Sequence, residues 1–363
     1  AEIYLDGNNI GKVTPYTVSN LIPGTHKLKY QYPGCRTDSI AVIVESNKTK
    51  YSFVKLADTT LWVTYNAGNS GIPADKLTKI VIDRNDIKWI GTLGEGVVRY
   101  DEVTWKHYDS KNSPLPNDFI TALAFENEKN LWVGTKDGLA VFNGSSWTVY
   151  TTGNSILPDN YITSICSDKN GTVWIGTPRG LIRVQGNSWT SINSSNSKLP
   201  NNEIQALAVE SNGKLWLGVG LYGLMSFDGT NWNSFTKENT GLPGHDVTAL
   251  AVGPLSEGVW AGFSTVLRNG DPGGLAVMEN NVWHNSYPTL PSTSISSITI
   301  INSFRWVCTA WGLLKFSSAT EWRVMNSGNT LLPSNNITAL SQDSHGIVWI
   351  TTAASGLVKY KMK

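Results

Sequence analysis

Short stretches of alternating hydrophobic and polar residues recur along most of this chain, with turn residues between them. Residues 162–192 show one complete unit. Gly, Pro, Asn or Asp residues separate its four stretches, which are Ile162–Ser167, Val173–Thr177, Gly180–Val184 and Ser188–Ile192. A period of two, bounded by such residues, predicts β-strands joined by tight turns. The unit is therefore predicted to be a four-stranded antiparallel sheet, with strands a, b, c and d in chain order.

Tryptophans mark the same unit seven times, at a spacing of about 42 residues. One set lies in strand b and comprises Trp89, Trp132, Trp174, Trp216, Trp260, Trp306 and Trp349. The other set lies in strand d and comprises Trp62, Trp105, Trp147, Trp189, Trp232, Trp283 and Trp322. A large flat ring at a repeated position is expected to fill the space between neighbouring sheets. Of the fifteen tryptophans, only Trp311 lies outside the pattern.

A proline stands four residues before the start of every strand a. Proline has no N–H for a strand ladder, so it is expected just outside the strand that follows it. The agreement in all seven units excludes a chance effect of composition. The pairs are Pro73 and Leu77, Pro116 and Ile120, Pro158 and Ile162, Pro200 and Ile204, Pro243 and Val247, Pro291 and Ile295, and Pro333 and Ile337.

The two ends of the repeat array are incomplete in complementary ways. The array begins with a strand d, Leu61–Tyr65, and finishes with a strand c, Gly356–Tyr360. Short strands repeated at this spacing are typical of a β-propeller. Placing the first strand beside the last completes a sheet and removes exposed edges. The sequence thus predicts an all-β chain in which residues 57–363 form a seven-bladed propeller closed by its N-terminal outer strand.

Composition excludes several classes of function. Lys plus Arg is 29 and Asp plus Glu is 28, so the chain has no excess charge with which to bind nucleic acid. The three cysteines form no disulfide framework, and Cys166 and Cys308 fall inside predicted strands as small core residues. No His or Cys spacing is typical of a metal site, and no motif requires a cofactor. A polar surface with few charges suits neutral, hydroxyl-rich ligands.

The repeats resemble the two-component regulator propeller of bacterial sensor proteins over about residues 60–363. The matching text includes DKNGTVWIGTPRGLIRVQGNSW at 168–189 and NEKNLWVGTKDGLAVFNGSSW at 127–147. The resemblance implies an extracytoplasmic sensory domain that recognises glycans or their breakdown products. No kinase follows the repeats here, so it also implies a kinase or membrane partner. A lipid anchor would need a segment outside this chain.

Residues 1–56 are similar to the PEGA domain, a small β-sandwich. The resemblance rests on Glu2–Leu5, Asp6-Gly7, Thr14-Pro15, Pro23-Gly24 and His26, and strand-like alternation continues at 26–32, 40–44 and 51–56. It implies a bacterial surface protein in which this domain serves as a spacer or an adhesion module.

Departures from the repeat indicate where a ligand could bind. Propeller loops between strands b and c lie on the same edge as the loops between strand d and the next strand a, which is the usual ligand face. The b–c loop residue that precedes strand c differs in chemical type from one unit to the next. Such variation is expected where the fold does not require a particular side chain. Exposed Trp311 would offer an apolar face to a sugar ring or a peptide side chain. These residues are Glu95, Asp137, Arg179, Tyr222, Gly273, Trp311 and Ser355.

The fifth unit carries an insertion of nine residues, Ser264–Pro272, in its b–c loop. Arg268 and Asp271 are the charged residues of the insertion and could form charge-assisted contacts with a ligand. Trp311 lies in the next unit on the same edge. The candidate ligand-binding residues are therefore Trp311, Tyr222, Arg179, Asp137, Glu95, Arg268 and Asp271, with a glycan or a peptide as the ligand.

Two other functions remain open. Propeller lyases resemble this architecture, and in a lyase or hydrolase His245, Asp246 and Glu203 would be the acid–base residues. The absence of a nucleophile–base motif favours binding over catalysis. A protein-interaction platform for a two-component system is the third hypothesis, since one scaffold can serve many functions.

Overall fold

The structure is a computed structural model that describes residues 2–14, 16–31, 38–50, 52, 62–253, 258–265, 270–280, 282–285, 290–318 and 321–362. The chain divides into two compact units. The larger unit spans Thr64–Tyr360, and the smaller one holds the residues before Thr64 together with the last residues of the chain. The predicted boundary near residue 56 lies outside the described residues.

The smaller unit contains one four-stranded antiparallel sheet with the order β2-β1-β3-β4. Asp6 and Gly7 both take positive φ and form the turn between the first two strands. His26 is held by Asp6 Oδ2 and by the carbonyl oxygen of Ile22, each 2.7 Å from a ring nitrogen. A second sheet of the predicted sandwich is not seen among the described residues. The strands are β1 (Glu2–Leu5), β2 (Asn8–Val13), β3 (Gly24–Gln31) and β4 (Asp38–Val44).

The larger unit consists of four-stranded antiparallel sheets, which confirms the all-β prediction. The first three sheets comprise β6 (Leu77–Ile82), β7 (Lys88–Thr92), β8 (Val97–Tyr100) and β9 (Trp105–Tyr108); β10 (Ile120–Glu126), β11 (Asn130–Thr135), β12 (Gly138–Phe142) and β13 (Trp147–Tyr150); and β14 (Ser164–Ser167), β15 (Thr172–Thr177), β16 (Gly180–Gln185) and β17 (Ser188–Ile192).

Three further sheets follow in the same order, and one short helix, α1 (Lys237–Thr240), lies between the fourth and the fifth. They comprise β18 (Ile204–Val209), β19 (Leu215–Val219), β20 (Gly223–Phe227) and β21 (Trp232–Phe235); β22 (Val247–Val252), β23 (Val259–Phe263), β24 (Gly274–Glu279) and β25 (Val282–His284); and β26 (Ile295–Ile301), β27 (Phe304–Thr309), β28 (Gly312–Phe316) and β29 (Trp322–Met325).

The seventh sheet joins the two ends of the repeat array. It consists of β30 (Ile337–Gln342), β31 (Ile347–Thr352), β32 (Leu357–Lys361) and, next to β32, the early strand β5 (Trp62–Tyr65). The first strand of each sheet contacts the first strand of the next, and β30 also contacts β6 of the first sheet. We call β6, β10, β14, β18, β22, β26 and β30 the inner strands.

The strand-b tryptophans form the core between neighbouring sheets, and all are at most 5% exposed. Trp132 of the second sheet, for example, packs in one cluster with Ile162 and Val173 of the third. An acidic residue six positions earlier accepts the indole N–H in four sheets. In these four sheets, burial of the ring therefore leaves its polar atom satisfied. The pairs are Asp83 with Trp89, Glu126 with Trp132, Glu210 with Trp216 and Asp343 with Trp349.

Candidate ligand-binding rim

Backbone hydrogen bonds place the b–c loops beside the residues that precede the inner strands. In six sheets the first residue after strand b donates its N–H to the carbonyl of the residue just before strand a. The third sheet has Pro178 after strand b, which has no N–H to donate. We call this edge the b–c rim. The donor and acceptor pairs are Leu93 and Lys76, Lys136 and Phe119, Gly220 and Glu203, Ser264 and Asp246, Ala310 and Ser294, and Ala353 and Asn336.

The predicted b–c loop residues differ in their exposure. Trp311 is 65% exposed, which is unusual for a tryptophan and consistent with a contact surface. Glu95, Asp137 and Arg179 are also exposed, whereas Tyr222 is half-buried. The remaining two positions offer less to a ligand, since they are occupied by Gly273 and Ser355.

Polar contacts hold several of these side chains in place. Asp137 accepts a hydrogen bond from Asn160 Nδ2 at 3.1 Å. Arg179 Nε lies 3.3 Å from Asp159 Oδ2, with 76% of the arginine side chain exposed. The Tyr222 hydroxyl lies 3.2 Å from Ser234 Oγ. These polar groups are therefore oriented before any ligand arrives, which lowers the entropic cost of binding.

The residues that stand three places after each repeated proline, shortly before the inner strands, form a second variable set on the b–c rim. Two are aromatic and lie in consecutive sheets, and the next two are acidic. Sequence reasoning selected only the acids, although the set could have been found as the residue three places after each repeated proline. We call them the pre-strand residues, and they are Lys76, Phe119, Tyr161, Glu203, Asp246, Ser294 and Asn336.

The structure brings Glu203 and Asp246 together through an amide. Gln205 Nε2 donates to Asp246 Oδ1 at 2.6 Å and to Glu203 Oε1 at 3.3 Å. Ser264 Oγ donates to the other oxygen of Asp246. His245 contacts Asp271 and Glu238 instead. The three predicted acid–base residues therefore do not form one hydrogen-bonded set.

His245 instead binds the inserted loop. Its Nδ1 lies 2.8 Å from Asp271 Oδ2, and its Nε2 lies 3.0 Å from Glu238 Oε1. Lys237 Nζ donates to Asp271 Oδ1 at 2.9 Å. Asp271 is only 1% exposed, so its carboxylate positions the insertion and faces the protein. We call Lys237, Glu238, His245 and Asp271 the clamp.

Charge stabilises both ends of the clamp. The hydrogen bond to Asp271 raises the pKa of His245, and the contact with Glu238 adds to the effect. Burial alone would raise the pKa of Asp271, but the hydrogen bonds from Lys237 and His245 outweigh it and lower that pKa. Both carboxylates therefore favour the imidazolium form of His245, in which both ring nitrogens donate.

The clamp makes the stability of the larger unit depend on pH. Because the pKa of folded His245 is raised, its contribution is complete below about pH 6.5 and is lost as the pH rises through the folded value. We expect the unfolding free energy of the wild type to fall across this range, and His245→Gln to remove that part of the slope. Urea titrations from pH 6 to pH 9 measure how the unfolding free energy depends on pH. His284→Gln, which alters an exposed histidine, serves as the control. An unchanged slope in His245→Gln would contradict the assignment.

The ends of the insertion are also fixed. Thr265 Oγ1 donates to the carbonyl of Pro272 at 2.8 Å and lies 2.7 Å from Thr293 Oγ1 of the next loop. Gly273 has φ +68°, and a Cβ there would overlap the backbone near Ser264. Arg268 lies outside the described residues, so its predicted role in ligand binding stays a prediction.

Metal sites and membrane-spanning helices are not found in the described part of the chain. It holds no group of three or more His, Cys, Asp or Glu side chains arranged to bind a metal ion. Among the same residues, no helix is long and apolar enough to span a membrane. Cys166 and Cys308 are free thiols, as the sequence predicted.

Antiparallel four-stranded sheets in succession, with a variable rim, define a β-propeller protein. Segments 114–137, 156–179 and 331–354 match the two component regulator propeller, and residues 1–60 match the PEGA domain. The chain thus carries two component regulator propeller repeats behind an N-terminal PEGA domain, which confirms both resemblances. No curated protein sequence matches the chain.

Solved structures share this fold at low sequence identity. The extracellular domain assigned to the hybrid two component system BT3049 of B. thetaiotaomicron is 20% identical with a TM-score of 0.64, covering 79% of this chain and 40% of that one. Virginiamycin B lyase from Staphylococcus aureus is 12% identical with a TM-score of 0.66, covering 83% and 99%. PorZ, a surface component of the type-IX secretion system of Porphyromonas gingivalis, is 16% identical with a TM-score of 0.63, covering 92% and 55%.

Proposed function

We propose that the larger unit is a seven-bladed propeller closed by β5, which serves as a ligand-binding sensory domain. Two observations support closure: β5 lies next to β32, and β30 contacts β6. Each sheet is then one blade, and the inner strands surround a central space. The PEGA domain precedes the propeller as a small β-sandwich, with the boundary near residue 56.

The b–c rim is the proposed ligand face, and the variability of its side chains on a fixed scaffold carries the proposal. Backbone hydrogen bonds hold the loops, so the side chains of the b–c loops and the pre-strand residues are free to contact a ligand. Trp311, Tyr222, Phe119 and Tyr161 supply aromatic faces. Arg179, Asp137 and Glu95 supply charged and hydrogen-bonding groups. This combination suits a carbohydrate or a peptide.

The comparisons support a location outside the cytoplasm. The BT3049 match is an extracellular domain of a two component system, and PorZ is a surface component. We therefore propose an extracytoplasmic protein that passes ligand binding to a membrane or kinase partner. The chain spans only 40% of the BT3049 extracellular domain.

Acid–base catalysis is the less favoured function. Similarity to virginiamycin B lyase concerns the fold at 12% identity. The clamp occupies both ring nitrogens of His245, which leaves neither free to move a proton to or from a substrate. Glu203 and Asp246 remain as carboxylates on the b–c rim and fit a binding role.

Glycan and peptide arrays test the proposal. We expect the wild type to bind members of one class, and Trp311→Ala and Arg179→Ala each to weaken binding about tenfold or more, because central aromatic and arginine contacts dominate interfaces. Val103→Ala alters a side chain that is 85% exposed in a c–d loop on the opposite edge, and should bind normally. Normal binding by both rim variants, with unchanged unfolding temperature, would refute the rim as the ligand face.

A further inference from the structure

Two neighbouring sheets present the same combination of side chains on the b–c rim. In the second sheet the pre-strand residue is Phe119, and the b–c loop contains Lys136. In the third sheet the pre-strand residue is Tyr161, and the b–c loop contains Arg179. The other five repeats have no aromatic pre-strand residue. We call Phe119, Lys136, Tyr161 and Arg179 the aromatic–cation sector.

In the second sheet, Lys136 lies over the ring of Phe119. Its Nζ is 4.2 Å from the centroid of the ring, and its N–H donates to the carbonyl of Phe119 at 3.3 Å. Phe119 also forms a β-bridge with Leu93 of the preceding loop, which is 47% exposed. The lysine therefore rests on an apolar surface that favours a cation. Its ammonium donates to no residue in the described part of the chain.

In the third sheet, one carboxylate joins Tyr161 to Arg179. Asp159 Oδ1 accepts the N–H of Tyr161 at 2.8 Å, and Asp159 Oδ2 lies 3.3 Å from Arg179 Nε. Tyr161 is 41% exposed, and the side chain of Arg179 is 76% exposed. The contact uses only Nε, and the two terminal nitrogens of Arg179 have no partner among the described residues. Arg179 thus presents its planar fork of donors near an exposed aromatic ring.

Two hydrogen bonds hold these halves of the sector together. Asn160 Nδ2 donates to Asp137 Oδ1 at 3.1 Å, and the N–H of Gly138 donates to the carbonyl of Asn160 at 2.8 Å. Asp137 follows Lys136 in the chain, and Asn160 precedes Tyr161. These main-chain groups are already paired with each other. Recognition by the sector therefore depends on its side chains and not on an added β-strand.

The unused hydrogen-bonding groups of the sector are mainly donors. Both oxygens of Asp159 contact the protein, and one oxygen of Asp137 accepts from Asn160. The ammonium of Lys136 and the terminal nitrogens of Arg179 carry donors that the protein leaves unused. A ligand that complements the sector must supply acceptors, and a carboxylate matches the guanidinium fork in shape and charge.

We propose that the aromatic–cation sector is a subsite of the b–c rim that selects ligands with a carboxylate group. Arg179 binds the carboxylate, Tyr161 packs against the apolar face of the ligand, and Lys136 offers a second cation to an adjacent acidic unit. The subsite rests on the ligand face proposed above and adds to it the charge of the ligand. An acidic sugar and the C-terminus of a peptide share this chemistry.

Calorimetry with matched acidic and neutral probes tests the subsite. Trigalacturonate and its methyl ester represent the sugar source, and N-acetyltriglycine and its amide represent the peptide source. We expect the wild type to bind at least one acid about tenfold or more tightly than its neutral analogue. Arg179→Gln should lose most of that preference, and Arg179→Lys, which keeps the charge without the fork, should retain part of it.

A lysine on the opposite edge of the same sheet provides the control. Lys169→Gln, in the turn between β14 and β15, removes the same charge from an exposed side chain and should keep the preference for the acid. Tyr161→Ala should weaken the acid and its neutral analogue by the same factor, because packing against the ring does not depend on charge. Unfolding temperatures establish that the variants are folded.

Separate outcomes decide the subsite and the ligand face. Equal binding of acid and neutral analogue by the wild type, no binding of either acid, or an unchanged preference in Arg179→Gln overturns the subsite. If Arg179→Gln weakens both members of a pair equally, the ligand face stands and the carboxylate assignment fails. Normal array binding by both rim variants would instead overturn the ligand face itself.

Discussion

Replacing Gly356 with alanine is expected to destabilise the larger unit by about 3 kcal/mol or more. Gly356 has φ +80°, and a Cβ there would overlap the carbonyl oxygen of Tyr65 in β5. Backbone strain and overpacking each cost about 1–3 kcal/mol. The overlap pushes β5 away from β32, so the substitution acts on the strand that we propose closes the propeller. Urea unfolding, followed by tryptophan fluorescence, measures the loss.

Two other glycines provide matched controls for Gly356→Ala. Gly96 in the first sheet has φ +72°, and its added Cβ would overlap the carbonyl of Tyr108, which belongs to a strand close in sequence. Gly144 has φ +97° with open space around it, so Gly144→Ala isolates the backbone strain. We expect Gly356→Ala to resemble Gly96→Ala and to exceed Gly144→Ala. A cost equal to that of Gly144→Ala would show that β5 does not lie against Gly356 in solution.

Removing the buried ammonium of Lys88 is expected to lower the free energy of unfolding by about 3–5 kcal/mol, as when one partner of a buried ion pair is removed. Lys88 is fully buried between the first and seventh sheets, 4.4 Å above the ring of Trp349. Its Nζ lies 2.6 Å from Glu102 Oε1 and 3.7 Å from the buried Asp343 carboxylate. Lys88→Met keeps the hydrocarbon stem and leaves Asp343 without that cation. Unfolding free energies in urea at pH 7 test the variant.

Acid pH and a surface lysine provide the controls for Lys88. Burial would raise the pKa of Glu102, but hydrogen bonds from Lys359 and Lys88 outweigh it and lower that pKa. The contribution of Glu102 is therefore complete above about pH 4.3 and is lost as the pH falls through the lower folded value. The difference between the wild type and Lys88→Met should shrink in that range. Lys106→Met replaces an exposed lysine, and its unfolding free energy should stay within about 0.5 kcal/mol of the wild-type value. A loss below about 1 kcal/mol for Lys88→Met would contradict the ion-pair network.

The repeat made the strands and the tryptophan core predictable, because the same pattern of strands and tryptophans occurs seven times along the chain. The acidic partner of the indole could have been predicted too, since a fixed spacing of six residues joins Asp83 to Trp89 and Asp343 to Trp349. Asp343 also shapes the turn that precedes its strand b. Its carboxylate accepts two N–H groups of that turn as well as the indole N–H.

Side chains that break the repeat were harder to predict, because their partners are distant in sequence. His245 was paired with its neighbour Asp246, yet its contact is Asp271, 26 residues later. Lys88 occupies a position that is Leu or Val in most other sheets, and its burial depends on Asp343 at the far end of the chain.

The main-chain hydrogen bonds along the b–c rim position the loops without using the side chains that would recognise a ligand. In each of six sheets, two adjacent variable positions are joined through N–H and C=O groups that every residue except proline provides. Substituting Phe119 or Ser294 changes the side chain that the rim offers to a ligand. The main-chain hydrogen bond to the carbonyl of that residue persists. Ligand specificity can therefore diverge one sheet at a time. Protein engineers could exchange such neighbouring pairs between sheets to give the same scaffold a new ligand preference.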